Sequence, residues 1–232
     1  MRILGLIPAR GGSKGIPDKN RKVLNGKPLL EYTVEAALGA KSLVQVVFSS
    51  EDETLMRLAK SLGAAVPFVR PAALAQDSSG SLELVRHALQ TLMEMGETYD
   101  AVCLLQVTNP FRTSKFIDEA VEKFKKSNMD SLISVLKVPH EYNPHWAFEV
   151  SKNGNLQIAT GDTEIIKRRQ DLPAAYYRDG SIYITKTEVI LKQNSLYGKT
   201  IGYIESDPTR HVNIDTMEDW DRAVAMAEKL KL

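Results

Sequence analysis

RILGLIPARGGSKGIPDKN, residues 2–20, is the stretch on which the reading of the whole chain turns. An apolar run with the composition of a buried strand passes directly into Gly11, Gly12 and Gly15, set among Arg10, Lys14, Lys19, Arg21 and Lys22. Glycine frees the backbone and bares its N–H groups, and nearby cations suit an anion. Two readings follow, a solvated basic turn or a cradle for phosphate. The spacing is neither the GxxxxGK[ST] of a P-loop nor GxGxxG. Position straight after a first strand favours phosphate.

Outward from this segment, further runs read as buried strands: VQVVFS (44–49), AAVPFV (64–69), AVCLLQV (101–107) and SLISVLKV (131–138). Helical periods lie between them. Leu55, Leu58, Ala59 and Leu62 share one face, as do Leu82, Val85, Leu89 and Leu92, and again Ile117, Ala120, Val121 and Phe124. Strands that are apolar throughout, alternating with helices, imply an α/β fold of three layers around a mainly parallel sheet. Ligands in such folds sit beyond the carboxyl ends of the strands. The glycine-rich loop and QVTNPFRT (106–113) both follow strands and so fall on that side.

The pattern changes at Pro139. Residues 139–179 carry early prolines, scattered aromatics and an Asn153-Gly154 turn signal but no long helical period, and read as an inserted subdomain. Residues 1–138 and 180–232 then form the core, in which GSIYIT (180–185) and TIGYIES (200–206) resume as strands. A last helix is expected after Thr216, whose TMED sequence offers a cap and an acid three residues on, with Met217, Trp220, Val224 and Ala227 buried.

Composition narrows the function. The 232 residues are 43% hydrophobic and 25% charged, enough for a sizeable core. Thirty Lys and Arg against 29 Asp and Glu leave a net charge of +1, without the basic field of a nucleic-acid binder. The N-terminal apolar run is too short for a signal peptide or a membrane span. Cys103, the sole cysteine, lies inside an apolar run and reads as a small core residue of a reduced, cytoplasmic protein.

Other stretches carry weaker signals. Asp215 in HVNIDTMEDW can hold a divalent cation beside phosphate or help cap the last helix, where Thr216 is the better cap. Lys167, Arg168, Arg169 and Arg178 can hold a carboxylate, although charge runs are more often solvated faces. HEYNPH (140–145) is no HExxH zinc site, because four residues separate the histidines and Pro144 breaks the helix. No GxSxG elbow or CxxC pair occurs.

IPARGGSKGIPDKN (7–20), RPAALAQDSSGS (70–81), LLQVTNPFRT (104–113), RRQDLP (168–173), GSIYI (180–184) and NIDT (213–216), in this order, resemble the CMP-acylneuraminate synthetases, or acylneuraminate cytidylyltransferases. The resemblance runs through nearly the whole chain, and six ordered motifs are more specific than any one. It implies attack by the anomeric hydroxyl of a nine-carbon 2-keto sugar acid, N-acetylneuraminate or a relative such as legionaminate, on the α-phosphorus of CTP. Pyrophosphate leaves with Mg2+. Such chemistry needs alignment and charge stabilisation.

By the same resemblance, Arg10, Ser13 and Lys14 hold the triphosphate, with Gly11 and Gly12 letting backbone approach it, and Lys19 and Asn20 shape the loop. Arg70 and Ser81 contact the nucleoside. Gln106, Arg169 and Tyr183 face the sugar, Arg169 neutralising its carboxylate. Arg10, Lys14 and Asp215 are the implied catalytic groups, with Asp215 and Asn213 on the metal. The insertion mediates a homodimer and completes the partner's sugar site, and Trp146, Phe148, Tyr176 and Tyr177 offer it aromatic surface.

Two departures stand out. Asn213 occupies a position where other members have an aspartate, so one charge is missing from the metal site. His145 and Trp146 replace a lysine, and YYRDG (176–180) replaces an Asn-Gly pair, near the expected sugar. A sugar-1-phosphate nucleotidylyltransferase and an inactive nucleotide-binding module are the alternatives of different activity.

Overall fold

The computed structural model describes residues 1–76 and 79–232; Asp77 and Ser78 of the 70–81 motif lie outside the described residues. In chain order the strands are β1 (Ile3–Pro8), the short hairpin β2 (Val23–Leu24) and β3 (Lys27–Pro28), β4 (Gln45–Ser49), β5 (Ala101–Leu104), β6 (Ser131–Lys137), the hairpin β7 (Phe148–Val150) and β8 (Leu156–Ile158), β9 (Tyr176–Lys186) and β10 (Ile201–Glu205). The helices are α1 (Leu29–Gly39), α2 (Glu53–Ser61), α3 (Ser81–Glu94), α4 (Ser114–Lys126), α5 (Thr187–Gln193) and α6 (Met217–Leu230).

Six strands form one sheet in the order β10-β6-β9-β5-β1-β4. β1 pairs parallel with β4 and β5, and β6 with β10; β9 runs antiparallel between β5 and β6. Side chains of one strand alternate between two cores, as the period of two requires. Ile3 and Ile7 of β1, Phe48 of β4 and Cys103 of β5 join the core that also takes buried residues of α1, α2, α4 and α6. Leu4, Leu6, Val47, Val102 and Leu104 point to the core built with α3 and α5. The sheet is therefore covered on both faces, which is why its strands read as unbroken apolar runs.

The helices begin where the sequence supplies caps. Thr113 accepts from Phe116 N at 3.1 Å to start α4, and three lysines in its last turn suit the negative end of the helix dipole. At α6, Thr216 and Asp219 form the expected reciprocal capping box. Met217 is nevertheless exposed, because the first turn projects it from the core, and Ala223 joins Trp220 and Ala227 on the buried face.

Residues 64–69 form no strand. Ala65 makes a single bridge to Val47, and the ladder stops at Pro67, which has no N–H to continue it. Within the insertion, β7 and β8 pair across a turn in which Gly154 takes φ +79°, as the Asn-Gly signal anticipates. The main sheet reaches into that segment, since β9 starts at Tyr176.

β9 also carries an irregularity that shapes the site. Tyr183 pairs with Ile133 and Arg178 with Val135, so residues 179–182 bulge opposite Ser134. Gly180 takes φ +83° here, and Asp179 folds inward to accept from Ser134 Oγ, Ser206 Oγ and, at 2.9 Å, Ser181 N.

Candidate functional site

The loop after β1 is tied down at several points. Ile16 is buried in the core below the loop, and Asn20 Nδ2 donates to Arg10 O at 2.9 Å. Lys19 Nζ donates to Ile214 O at 2.6 Å and lies 3.3 Å from Asp215 Oδ1, so residues from the two ends of the chain meet. At Gly15 any Cβ would collide with the Asp215 carbonyl oxygen. Only glycine permits that approach.

A carboxylate behind the loop organises it further. Glu51 follows β4, and its Oε1 accepts from Gly11 N at 2.8 Å while Oε2 accepts from Arg70 Nη2 at 2.6 Å. The same Arg70 nitrogen donates to Ala9 O at 2.8 Å. Arg70 is 3% exposed and Glu51 21%, so this is a desolvated pair in which Nη2 is served twice while the buried Nε has no hydrogen-bond partner among the described residues. Glu51 was not among the sequence candidates, because an acid after a strand resembles any helix-capping turn; Asp52 beside it does cap α2.

These elements enclose a cavity of about 530 Å³. Arg10, Ser13, Lys14, Lys19, Asn20, Arg70, Ser81, Gln106, Asn213 and Asp215 all line it, from elements that span nearly the whole sequence. Gly15 lines it too, whereas Gly11 and Gly12 do not, the N–H of Gly11 being engaged by Glu51. A second cavity, about 310 Å³, shares Ser81 and Gln106 with the first and adds Tyr183, Arg178, Leu196 and Tyr197. Arg169 is exposed and lines neither.

The wall shared by the two cavities is held from below. Arg112, 6% exposed, donates through Nη2 to Asn109 O at 2.6 Å and to Gln106 O, and Ile214 N donates to Thr108 O at 2.9 Å. Burial pushes the Arg112 guanidinium down to about 10, which leaves it charged at neutral pH. Nothing in the sequence separates this arginine from a solvated loop residue.

The donor set for a metal is small. Among the described residues no group of three His, Cys, Asp or Glu side chains is placed to hold an ion. The Asp215 carboxylate faces the first cavity with 62% of its side chain exposed, its oxygens meeting Lys19 Nζ and, at 2.6 Å, Asn213 Nδ2. The Asp215 carboxylate is a donor of the kind that fits Mg2+, which is commonly held by one or two carboxylates together with substrate phosphates, while Asn213 turns its amide nitrogen towards that carboxylate.

The likenesses of the chain agree with this arrangement. Over 233 residues it is 36% identical to the CMP-N,N'-diacetyllegionaminic acid synthase of Legionella pneumophila, covering 99% of this chain and 96% of that protein. Over 224 residues it is 34% identical to a pseudaminic acid cytidylyltransferase of Campylobacter jejuni, covering 96% and 95%. A solved CMP:2-keto-3-deoxy-manno-octonic acid synthetase, complexed with CTP, shares the fold at a TM-score of 0.76 and 14% identity, over 99% of this chain and 100% of that one. Residues 4–232 match the family model described as cytidylyltransferase, and the chain belongs to that family.

Proposed function

We propose that the protein transfers CMP from CTP to the anomeric hydroxyl of a nine-carbon 2-keto sugar acid. The observation that carries this reading is the pair of adjoining cavities: a basic, glycine-looped one beside Asp215, and a second that shares Ser81 and Gln106 with it. Relatives named for legionaminic and pseudaminic acids support a bacterial sugar acid, and an N-acylneuraminate cytidylyltransferase of Escherichia coli, 31% identical over 229 residues, keeps N-acetylneuraminate in the set.

In this reading the hydroxyl oxygen forms a bond to the α-phosphorus, the bond from that phosphorus to the bridging oxygen breaks, pyrophosphate leaves, and the hydroxyl proton passes to solvent. Arg10, Ser13 and Lys14 hold the triphosphate and offset the charge that grows on the leaving group. Lys19 and Asn20 keep that loop in shape, and Arg70 and Ser81 receive the nucleoside. Gln106 faces the acceptor and Tyr183 forms the wall behind it. Asp215, joined by the Asn213 carbonyl once that amide turns over, would hold Mg2+, which would supply charge neutralisation at the phosphates.

The insertion is the proposed homodimer contact. Tyr142, Phe148, Val150, Leu156 and Ile165 are all exposed there in a single chain, a concentration of apolar surface that suits a partner. Arg169 then reaches an acceptor carboxylate by movement of the insertion or from the second copy. The single thiol, buried in the core, supports a cytoplasmic setting, and among the described residues no helix is long and apolar enough to cross a membrane.

The test is pyrophosphate release from the purified protein given CTP, Mg2+ and a panel of free 2-keto sugar acids and sugar 1-phosphates. Release with a nine-carbon acid alone is expected. Release only with sugar 1-phosphates, or CTP binding with no release from any acceptor, would sink the proposal.

A further inference from the structure

Arg112 carries a charge that the fold leaves unanswered. It is 6% exposed and charged at neutral pH, and its Nη2 spends both hydrogens on the carbonyls of Gln106 and Asn109. Among the described residues, no carboxylate pairs with it, and its Nε and Nη1 are buried without a hydrogen-bond partner. The Nε hydrogen and both Nη1 hydrogens are therefore idle. Asp179 attracts the guanidinium without bonding to it, because its own oxygens are taken by Ser134 Oγ, Ser206 Oγ and Ser181 N. Buried charges and buried donors are ordinarily met by a partner.

The space beside Arg112 can admit one. Arg112 lines a cavity of about 200 Å³ that has no residue in common with the two described above. The loop at 106–112 runs between them: Gln106, Val107 and Thr108 line the first cavity, whereas Asn109, Phe111 and Arg112 line this one. Its cations are Arg112, Arg210 and Lys115, and its two acids are engaged. Asp207 Oδ1 accepts from Thr209 N at 2.8 Å and from Thr209 Oγ1 at 2.7 Å, and Glu119 lies 3.7 Å from Lys115 Nζ. His211 donates through Nε2 to Asp179 O at 2.9 Å. The first turn of α4, at Thr113 and Lys115, adds the positive end of a helix dipole. Phe111 and Phe116 supply apolar wall.

An organic anion fits these walls better than water does. Water can meet the idle donors, but it leaves the charge uncompensated and gains nothing from two phenyl rings. We propose that this cavity is a further binding site, which takes a small organic carboxylate with its charge on Arg112 and its apolar body against Phe111 and Phe116. The site does not depend on the transfer reaction proposed above. It stands directly behind the substrate wall, since the guanidinium that receives the carboxylate also holds the Gln106 carbonyl.

Benzoate is the probe, and benzamide, of nearly the same shape without the charge, is its control; each is titrated calorimetrically into the full chain with and without saturating CTP. Benzoate is expected to bind once per chain under both conditions. Benzamide should bind about 10- to 100-fold more weakly, the range that a hydrogen bond to a charged group accounts for. Arg112→Gln should erase the preference for benzoate, with melting curves to show that the variant is folded. Because Arg112 also supports the loop, a second measurement uses wild type alone: backbone amide shifts on adding benzoate should cluster at residues 109–116 and 206–211. No saturable binding of benzoate, equal affinity for benzamide, or a folded Arg112→Gln that keeps the preference would overturn the proposal. Loss of binding with CTP, or shifts clustered at residues 10–20, would place the anion in the first cavity and overturn it too.

Discussion

Replacing Arg70 by Met tests whether the Arg70–Glu51 pair holds the glycine loop in place. Arg70 is 3% exposed, its Nη2 serves both Glu51 Oε2 at 2.6 Å and Ala9 O at 2.8 Å, and Glu51 in turn holds Gly11 N. The substitution strands a largely buried carboxylate and an unserved carbonyl, and breaking such pairs costs about 3–5 kcal/mol. Glu51 keeps 21% exposure and its bond to Gly11, which places the expected cost near the lower limit, about 3 kcal/mol. For a chain of this length that lowers Tm by about 6–12 °C. Urea unfolding of Arg70→Met, Glu51→Gln and the double variant measures the coupling directly. The double variant should lose at least about 1 kcal/mol less than the sum of the singles, because a neutral amide facing a thioether strands no charge. Additivity within about 0.5 kcal/mol would refute the reasoning, since it would mean the two side chains do not depend on each other.

Four further outcomes follow from the same structure. Gly15→Ala forces a Cβ against the Asp215 carbonyl oxygen and should cost about 1–3 kcal/mol with a higher KM for CTP; an unchanged urea midpoint would count against that close approach. Asp215→Ala should abolish Mg2+-dependent pyrophosphate release while moving Tm by no more than about 2 °C, as the side chain is exposed; near-normal rates would remove Asp215 from the metal. Cys103, fully buried and pushed up to about 12 by burial, should resist iodoacetamide in the native protein at pH 8 and react once urea unfolds it; rapid native labelling would show an open core. Burial opposes the charge of Asp219, but the backbone N–H groups of Thr216 and Asp215 and the Arg222 guanidinium outweigh it and hold the carboxyl well below the usual range. Stability from Asp219 is therefore complete at neutral pH and fades as pH falls below about 4, where the unfolded chain takes up the proton first; Asp219→Asn should flatten this part of the acid-unfolding profile, and an unaltered slope would contradict the shift.

The sequence displayed the fold wherever burial acts on consecutive residues. Residues 3–7 of β1 are buried on both faces and therefore read as an unbroken apolar run, as do the strands at 45–49 and 101–104. It misled at 64–69, where the apolar composition is real but Pro67 and the turn at Gly63 prevent a ladder. It did not show that β9 is antiparallel, because strand direction leaves no mark on composition. The cavity residues Arg10, Lys14, Arg70, Gln106 and Asp215 were identified through motifs, and geometry then gathers them around one space. Glu51 and Arg112 stayed invisible for a common reason. Each is a charged residue in a loop, and only its burial and the backbone groups it holds distinguish it from a solvated one. Arg169 shows the converse, a motif residue that a single chain leaves on the surface.

The placement of β9 between β5 and β6 governs the order in which the sheet can be built. Until residues 176–186 emerge from the ribosome, β4, β1 and β5 can pair but β5 has an open edge, and β6 has no partner on either side because β10 is made later still. Residues 138–175 must be synthesised in that interval, which at about 5–20 residues per second lasts on the order of seconds. Open apolar edges are then exposed to other nascent chains. Slower translation through the insertion should lengthen that exposure, and a chaperone that covers strand edges should matter most for this protein at that stage of its synthesis.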